Sequence, residues 1–233
     1  MKRLTVGSNK MASLDDRDVW LFDLDNTLYP ASSNLFGQIE QRMGSFIQEF
    51  LSLDPVEAKK VQKDYFHRYG TTLKGLMVNH DLTPDRYLNY VHDIDFGVIS
   101  PNEALSKALT NLPGRKLIFT NASNIHASNV MDRLGVSHHF EGIYDIADAD
   151  YIPKPAQFPY DDIIKKHGID PKRSVFFEDS AKNLKPAAEM GMTTVWIKTD
   201  TDWASVGATN EEGEVADFIH HHTDDLVKWL NAL

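Results

Sequence analysis

Four short stretches set the strongest limit on what this chain can fold into: Val19-Trp20-Leu21-Phe22, Lys116-Leu117-Ile118-Phe119, Ser174-Val175-Phe176-Phe177 and Thr194-Val195-Trp196-Ile197. Each is about one strand long and largely apolar on both faces. A strand with one wet face alternates apolar and polar residues. A strand without that alternation is covered on both sides, as in a parallel sheet between two helical layers. A weaker fifth candidate is Gly142-Ile143-Tyr144-Asp145-Ile146. Helical patterns separate the runs, at about 102–111, 125–134, 160–166 and 184–190, with another at 224–230. Gly135, Gly168 and Gly191 stand where helices should stop. Strand alternating with helix predicts an α/β fold with a doubly wound, parallel, Rossmann-like sheet.

One region breaks the alternation. From Leu35 to Ile94 only helical spacing is present: Leu35, Phe36, Ile39, Met43, Phe46, Ile47, Phe50 and Leu51 recur on one face. Asp54-Pro55 reads as an N-cap followed by a first-turn proline, and Thr83-Pro84-Asp85 as a further helix start. This is too much helix for one crossover. The expected division is a core of residues 1–33 and 100–233 with a small all-helical domain, 34–99, inserted after the first strand. Its hinges are expected at Pro30 to Asn34 and Gly97 to Pro101. Residues 1–17 read as a loosely ordered arm.

Bulk properties exclude several functions. The 233 residues carry 24 Lys and Arg against 34 Asp and Glu, a formal net charge of −10. No cationic block is long enough to track a nucleic-acid backbone. No stretch has the length of a transmembrane helix, and the N-terminus lacks the apolar segment of a signal peptide. The chain has no cysteine. Disulfide and thiolate chemistry are thereby excluded, and a reducing cytoplasmic setting is expected.

In open α/β sheets ligands bind beyond the carboxyl ends of the strands, so the residues that follow each apolar run matter most. The first run is followed by Asp23 and Asp25, the second by Thr120-Asn121 and the third by Glu178-Asp179. Lys154 sits between Pro153 and Pro155. Asp23, Asp25 and Asp179 offer only oxygen, which suits a hard cation such as Mg²⁺. Lys154 is a point charge for phosphate, and Thr120 and Asn121 add hydrogen-bonding groups. A carboxylate can attack phosphorus, a second acid can move the proton, and the cations screen the repulsion. The Asp-x-Asp spacing would set both side chains on one side of a strand end.

In order and spacing, Asp23-Leu24-Asp25-Asn26-Thr27, Thr120-Asn121, Lys154-Pro155 and Glu178-Asp179-Ser180-Ala181-Lys182-Asn183 resemble the four motifs of the haloacid dehalogenase-like (HAD) phosphatase superfamily. The helical insert resembles the small α-helical cap of its first cap class. FDLDNTLYP, LIFTNASNIHASNVMDRLG, IPKP and FFEDSAKNL are most similar to the pyrimidine 5′-nucleotidase-like branch.

The resemblance implies a Mg²⁺-dependent phosphomonoesterase that acts on a small molecule, first of all a pyrimidine nucleoside 5′-monophosphate such as UMP or CMP. It implies that Asp23 is nucleophile and metal ligand. Asp25 is general acid/base, with its carbonyl on the metal. Thr120 and Lys154 hold the phosphoryl group with help from Asn121, and Asp179 binds Mg²⁺. Glu178 stands where many relatives carry Gly or Asp, and Asn183, where others carry Asp, has a supporting role. A phosphosugar phosphatase and a phosphomutase are alternatives. Asp25 counts against a dehalogenase, and the intact set of Asp23, Asp25, Lys154 and Asp179 counts against a phosphate-binding regulatory module.

Other conspicuous residues have plainer readings. His126 is expected to be a surface or helix-packing residue, and His220-His221-His222 a solvated stretch of helix. Trp20 and Trp196 are expected in the core. Phe36, Tyr65, Phe66 and Tyr69 are expected mostly inside the helical insert, with one or two near Tyr29 or the hinge free to stack on a base.

Overall fold

All five expected strands form, and a sixth joins them. The structure, a computed structural model, describes Leu14 and residues 16–233. The strands are β1 (Val19–Phe22), β2 (Arg115–Phe119), β3 (Gly142–Tyr144), β4 (Ser174–Glu178), β5 (Thr193–Ile197) and β6 (His221–Thr223). They make one sheet in the order β3-β2-β1-β4-β5-β6, with every neighbouring pair parallel. Between β1 and β2 come α1 (Leu35–Leu51), α2 (Pro55–Tyr69), α3 (Thr72–His80), α4 (Pro84–Val91) and α5 (Glu103–Asn111). Then α6 (Asn124–Leu134), α7 (Gln157–His167) and α8 (Ala181–Glu189) make the crossovers, and α9 (Leu226–Leu230) follows β6.

Successive strand residues point to opposite faces. In β1, Trp20 and Phe22 pack with apolar residues of α5, α6 and α9, whereas Val19 and Leu21 pack with those of α7 and α8. This is the doubly wound arrangement that the unalternating runs demand. The strand order reverses direction between β1 and β4, and the crevice beyond their carboxyl ends is where such folds place ligands.

α1 to α4 share a hydrophobic cluster of their own, built on Ile39, Phe46, Ile47, Leu73, Leu76 and Leu88. α1 and α2 cross there, and α3 returns along α2. Gly75 on α3 permits that approach, because a Cβ added to it would lie 2.4 Å from Cβ and Cγ of Tyr65. Asp54 caps α2 as its sequence indicates, accepting from the amides of Val56 and Glu57 at 2.8 and 2.9 Å. The chain enters this helical unit through a 3₁₀ turn at Ala31–Ser33 and leaves it through another at Phe96–Val98. Ile146 and Tyr151, from the segment after β3, pack against the cluster from the sheet side.

Two expectations change. His221 and His222 lie in the edge strand β6, not in a helix, and His220 precedes it. Their surface placement holds for His220 and His222, which are exposed. The His220 Nδ1 accepts from the Thr194 amide at 3.0 Å. Three residues with a mixed burial pattern carry too short a signal to be read as a strand. The expected arm falls on residues outside those described, apart from Leu14, Asp16 and Arg17. Leu14 is buried in the core, and Arg17 donates to Thr193 Oγ1. Trp20 and Trp196 are buried, as expected. Among the described residues no helix is long and apolar enough to cross a membrane.

Candidate active site

β1 ends at Phe22, and the Asp23 amide extends its ladder by one bond, to the Phe177 carbonyl of β4 at 2.9 Å. That bond sets Asp23 over the crevice between the two strands. Leu24 is fully buried, and Asn26 then adopts a left-handed backbone (φ 59°). Asn takes that conformation more readily than most residues. Its side-chain amide reaches Asp179 Oδ2 at 3.4 Å, which ties the β1 loop to the β4 loop. Asp25 therefore lies in a turn, not in the strand, and the two carboxylates have separate partners.

Lys154 stands at the centre. It is 1% exposed, and its ammonium donates to Asp23 Oδ1 (2.8 Å), Glu178 Oε2 (2.7 Å) and the Phe119 carbonyl (2.7 Å). These are the three bonds that an ammonium can donate. The rings of Phe119 and Phe176 lie beneath it at 4.9 and 5.2 Å. Burial favours losing the proton, but Asp23 and Glu178 outweigh burial and hold the Lys154 pKa above its usual value. Asn121 fixes the lysine backbone. Its Oδ1 accepts from the Lys154 amide at 2.9 Å, and its Nδ2 donates to the Lys154 carbonyl at 3.3 Å. Both ends of the Asn121 side chain are thus used in placing Lys154. Thr120 is buried beside it and accepts from the Ala122 amide.

Three carboxylates gather near this one ammonium, and two of them, Asp23 and Glu178, accept from it. Asp23, Glu178 and Asp179 are buried and each brings an oxygen within 4.8 Å of the others. Burial, followed by repulsion from Glu178, pushes Asp23 up to about 7 against the pull of Lys154. Burial, with Glu178 and Asp23 nearby, pushes Asp179 well above the carboxylate range. Formally, three negative charges face one positive charge. A divalent cation would balance the remainder, and an all-oxygen donor set suits a hard one. Glu178, whose contact with a metal the sequence leaves open, belongs to this cluster: it is the last residue of β4. Asn183 is buried in the same wall, with its Oδ1 unpartnered.

Asp25 belongs to a second group. Its Oδ1 accepts from the Tyr29 hydroxyl at 2.5 Å and pairs with His126 Nε2 at 2.8 Å. Burial would raise its pKa, but His126 and Tyr29 together lower it. His126, expected at a surface or in simple helix packing, is instead fully buried and aimed at the acid. His92, just after α4, stacks on it with ring centroids 4.4 Å apart, and Ser123 Oγ meets His92 Nδ1 at 2.9 Å. The available signal was the placement of His126 one turn into the helix that begins at the Thr120-Asn121 loop. A first turn aims its side chains back over the strand end that it follows.

Both groups open into one cavity of about 700 Å³ between the strand ends and the helical unit. Asp23, Asp25, Thr120, Asn121, Lys154 and Asp179 all line it, so the structure brings together every site residue that the sequence singled out.

The sequence profile of the haloacid dehalogenase-like hydrolases matches residues 18–191. The chain belongs to that family. Over 194 residues it is 30% identical to Phosphate metabolism protein 8 of Saccharomyces cerevisiae, a match covering 76% of this chain and 60% of the yeast protein. The chain therefore spans less than two thirds of that relative. It is 29% identical, over 194 residues, to the glyceraldehyde 3-phosphate phosphatase of Methanocaldococcus jannaschii, with 76% of this chain and 83% of that protein covered. Among solved structures, a haloacid dehalogenase-like hydrolase of Streptococcus pneumoniae superposes with a TM-score of 0.61 at 15% identity, covering 94% of this chain and 99% of that one. Similarity at that level concerns the fold, and it agrees with the HAD-like α/β architecture described above.

Proposed function

We propose that this HAD-family chain is a Mg²⁺-dependent phosphomonoester hydrolase that works through an aspartyl phosphate on Asp23. The observation that carries the reading is the division of labour between the two acids. Asp23 is held by Lys154 in a buried acidic cluster, and Asp25 is held apart by His126 and Tyr29. The names of the two relatives described above point to phosphate chemistry.

Asp23, Glu178 and Asp179, with the Asp25 carbonyl, would hold the cation. Bound there, it would supply charge neutralisation for Asp23 and the incoming phosphoryl oxygens. The chain's own residues perform the remaining tasks. Lys154 and Thr120 hold phosphoryl oxygens, and Asn121 keeps Lys154 in place. An Asp23 carboxylate oxygen bonds to phosphorus as the ester oxygen leaves. Protonated on Oδ2, the Asp25 carboxyl gives its proton to that leaving oxygen, while Oδ1 stays with His126 and Tyr29. In the second half the Asp25 carboxylate accepts a proton from water, which displaces Asp23 and releases phosphate. The helical unit, residues 34–99, acts as a cap that closes the cavity and reads the leaving group. Lys59, Lys63 and Lys182 line the cavity mouth and would offset the acidic net charge for an anionic substrate, although Glu40 and Asp202 also reach it.

A nucleoside 5′-monophosphate, pyrimidine first, is the substrate class we assign. The archaeal relative favours a sugar-phosphate alternative. The test is hydrolysis of a generic aryl phosphate with Mg²⁺ and with chelator, followed by a panel of nucleotides and sugar phosphates. Activity that needs the metal and vanishes in Asp23→Asn supports the mechanism. An Asp23→Asn variant with most of its activity would remove the covalent step. Strong preference for sugar phosphates would remove the nucleotide assignment.

A further inference from the structure

Among the described residues four large rings lie outside the three hydrophobic clusters, and two of them, Phe66 on α2 and Trp203 in the loop after β5, line the cavity, whereas Tyr69 and Phe158 do not. Phe66 and Trp203 are partly exposed, and the cavity they line is the one that holds Asp23 and Asp25. Phe36, at the start of α1, completes the group. Trp203 lies 5.7 Å from Phe36 and 6.1 Å from Phe66 between ring centroids, tilted at 43° and 74°. The three rings come from three separate elements, two in the helical unit and one in a loop of the sheet domain. Part of their apolar surface is left facing the cavity. Tyr65, next to Phe66, packs against the helical cluster instead.

The polar surroundings of the rings are equally specific. The Lys182 ammonium lies 4.2 Å from the centroid of Phe66, and it makes no salt bridge among the described residues. Lys182 is four residues beyond Glu178, at the start of α8, so it stands between the acidic cluster and the rings. An ammonium there can donate to a carbonyl oxygen on a ring that lies against Phe66 and Trp203. Planar ligands with a polar edge are held in this way, by faces for the π-system and a donor for the edge.

We propose that Phe36, Phe66 and Trp203 form a subsite for the aromatic ring of the leaving group, the base of a nucleoside monophosphate, with Lys182 as hydrogen-bond donor to a ring carbonyl. This deepens the phosphatase reading and rests on it. Neither a sugar phosphate nor an aliphatic phosphate has a planar π-face for this surface to hold, so the rings would favour a base-bearing substrate over its baseless counterpart.

UMP and ribose 5-phosphate isolate the effect, because they share the ester and the sugar and differ by the base. Wild-type protein with Mg²⁺ should show a higher kcat/KM for UMP. In Trp203→Ala the UMP to ribose 5-phosphate ratio should fall roughly 10- to 100-fold, the range expected for one lost base–aromatic contact. Trp203→Phe should retain most of the ratio. If Trp203→Ala melts below the assay temperature, Phe66→Leu is read in its place, with the same fall expected. An equal loss on both substrates, or a wild-type ratio near one, overturns the subsite while leaving the phosphatase reading intact. No hydrolysis of either substrate or of an aryl phosphate overturns both.

Discussion

Removing the charge of Asp23 should stabilise the metal-free protein even as it abolishes turnover. The structure gives the size of the effect. Burial and Glu178 push the Asp23 pKa from 3.8 to about 7. The folded state therefore keeps a proton that the unfolded chain has already lost. Stability falls as pH rises from the unfolded value to the folded one, then levels off. A rise from 3.8 to about 7 corresponds to about 4 kcal/mol of stability lost by pH 8. Asn in place of Asp removes this dependence. The amide oxygen can still accept from Lys154, and the Thr27 hydroxyl can turn to accept from the new NH₂ group. Lys154 also keeps Glu178 as a partner. For a chain of this length, about 4 kcal/mol corresponds to a Tm difference of about 10 °C. The assay is thermal melting of wild type and Asp23→Asn in chelator, from about pH 5 to about pH 8. The variant should be the more stable above neutrality, and the two should converge towards acid. Added Mg²⁺ should restore wild type at high pH, by about 2.7 kcal/mol when it reaches 100 times its Kd. Equal melting temperatures at pH 8 in chelator, or a gap that widens towards acid, would refute the claim that this cluster is over-charged without a cation.

Three further outcomes follow from particular contacts. His126→Phe should keep the stack on His92 and lose the bond to Asp25, lowering kcat roughly 10- to 100-fold with little change in KM. The loss should be smaller for 4-nitrophenyl phosphate, whose leaving oxygen needs little help from an acid; equal losses on both esters would make His126 a packing residue only. Lys154→Met leaves Asp23 and Glu178 buried without a cation. It should cost about 3–5 kcal/mol in chelator at neutral pH, read as the urea midpoint, and an unchanged midpoint would contradict the pairing. Gly75→Ala drives a methyl to 2.4 Å from the root of Tyr65 and should cost about 1–3 kcal/mol by thermal melting, with no loss expected if α2 and α3 can separate freely.

Much of the candidate site was legible because its residues follow apolar runs. A strand buried on both faces has one polar outlet, its carboxyl end, so Asp23, Thr120 and Asp179 could be placed there with no coordinates. Lys154 was legible by its position between two motifs. What sequence could not supply was pairing across distance. His126 stands 101 residues from Asp25, and as one histidine on a helix it carries no mark of its partner. Asn121 looks like a phosphate ligand in sequence, yet its side chain is taken up by the backbone of Lys154. The three histidines beginning at His220 were misread because β6 is too short to show a period.

The sequence by itself determined five of the sheet's six strands, the helices on its two faces and the run of helices between β1 and β2, since these depend on the local periodicity of apolar residues. It also determined which side chains crowd the strand ends. Only the tertiary structure decided how those side chains share charge. Three acids cluster, two of them on one lysine, because β1 and β4 lie side by side, and Asp25 pairs with His126 because β1 stops at Phe22. Likewise, only packing distinguishes Tyr65, absorbed by its own helical cluster, from Phe66, which faces the cavity beside Trp203. Periodicity records which face a residue occupies; what stands opposite that face is set by strand order and by the close approach of helices.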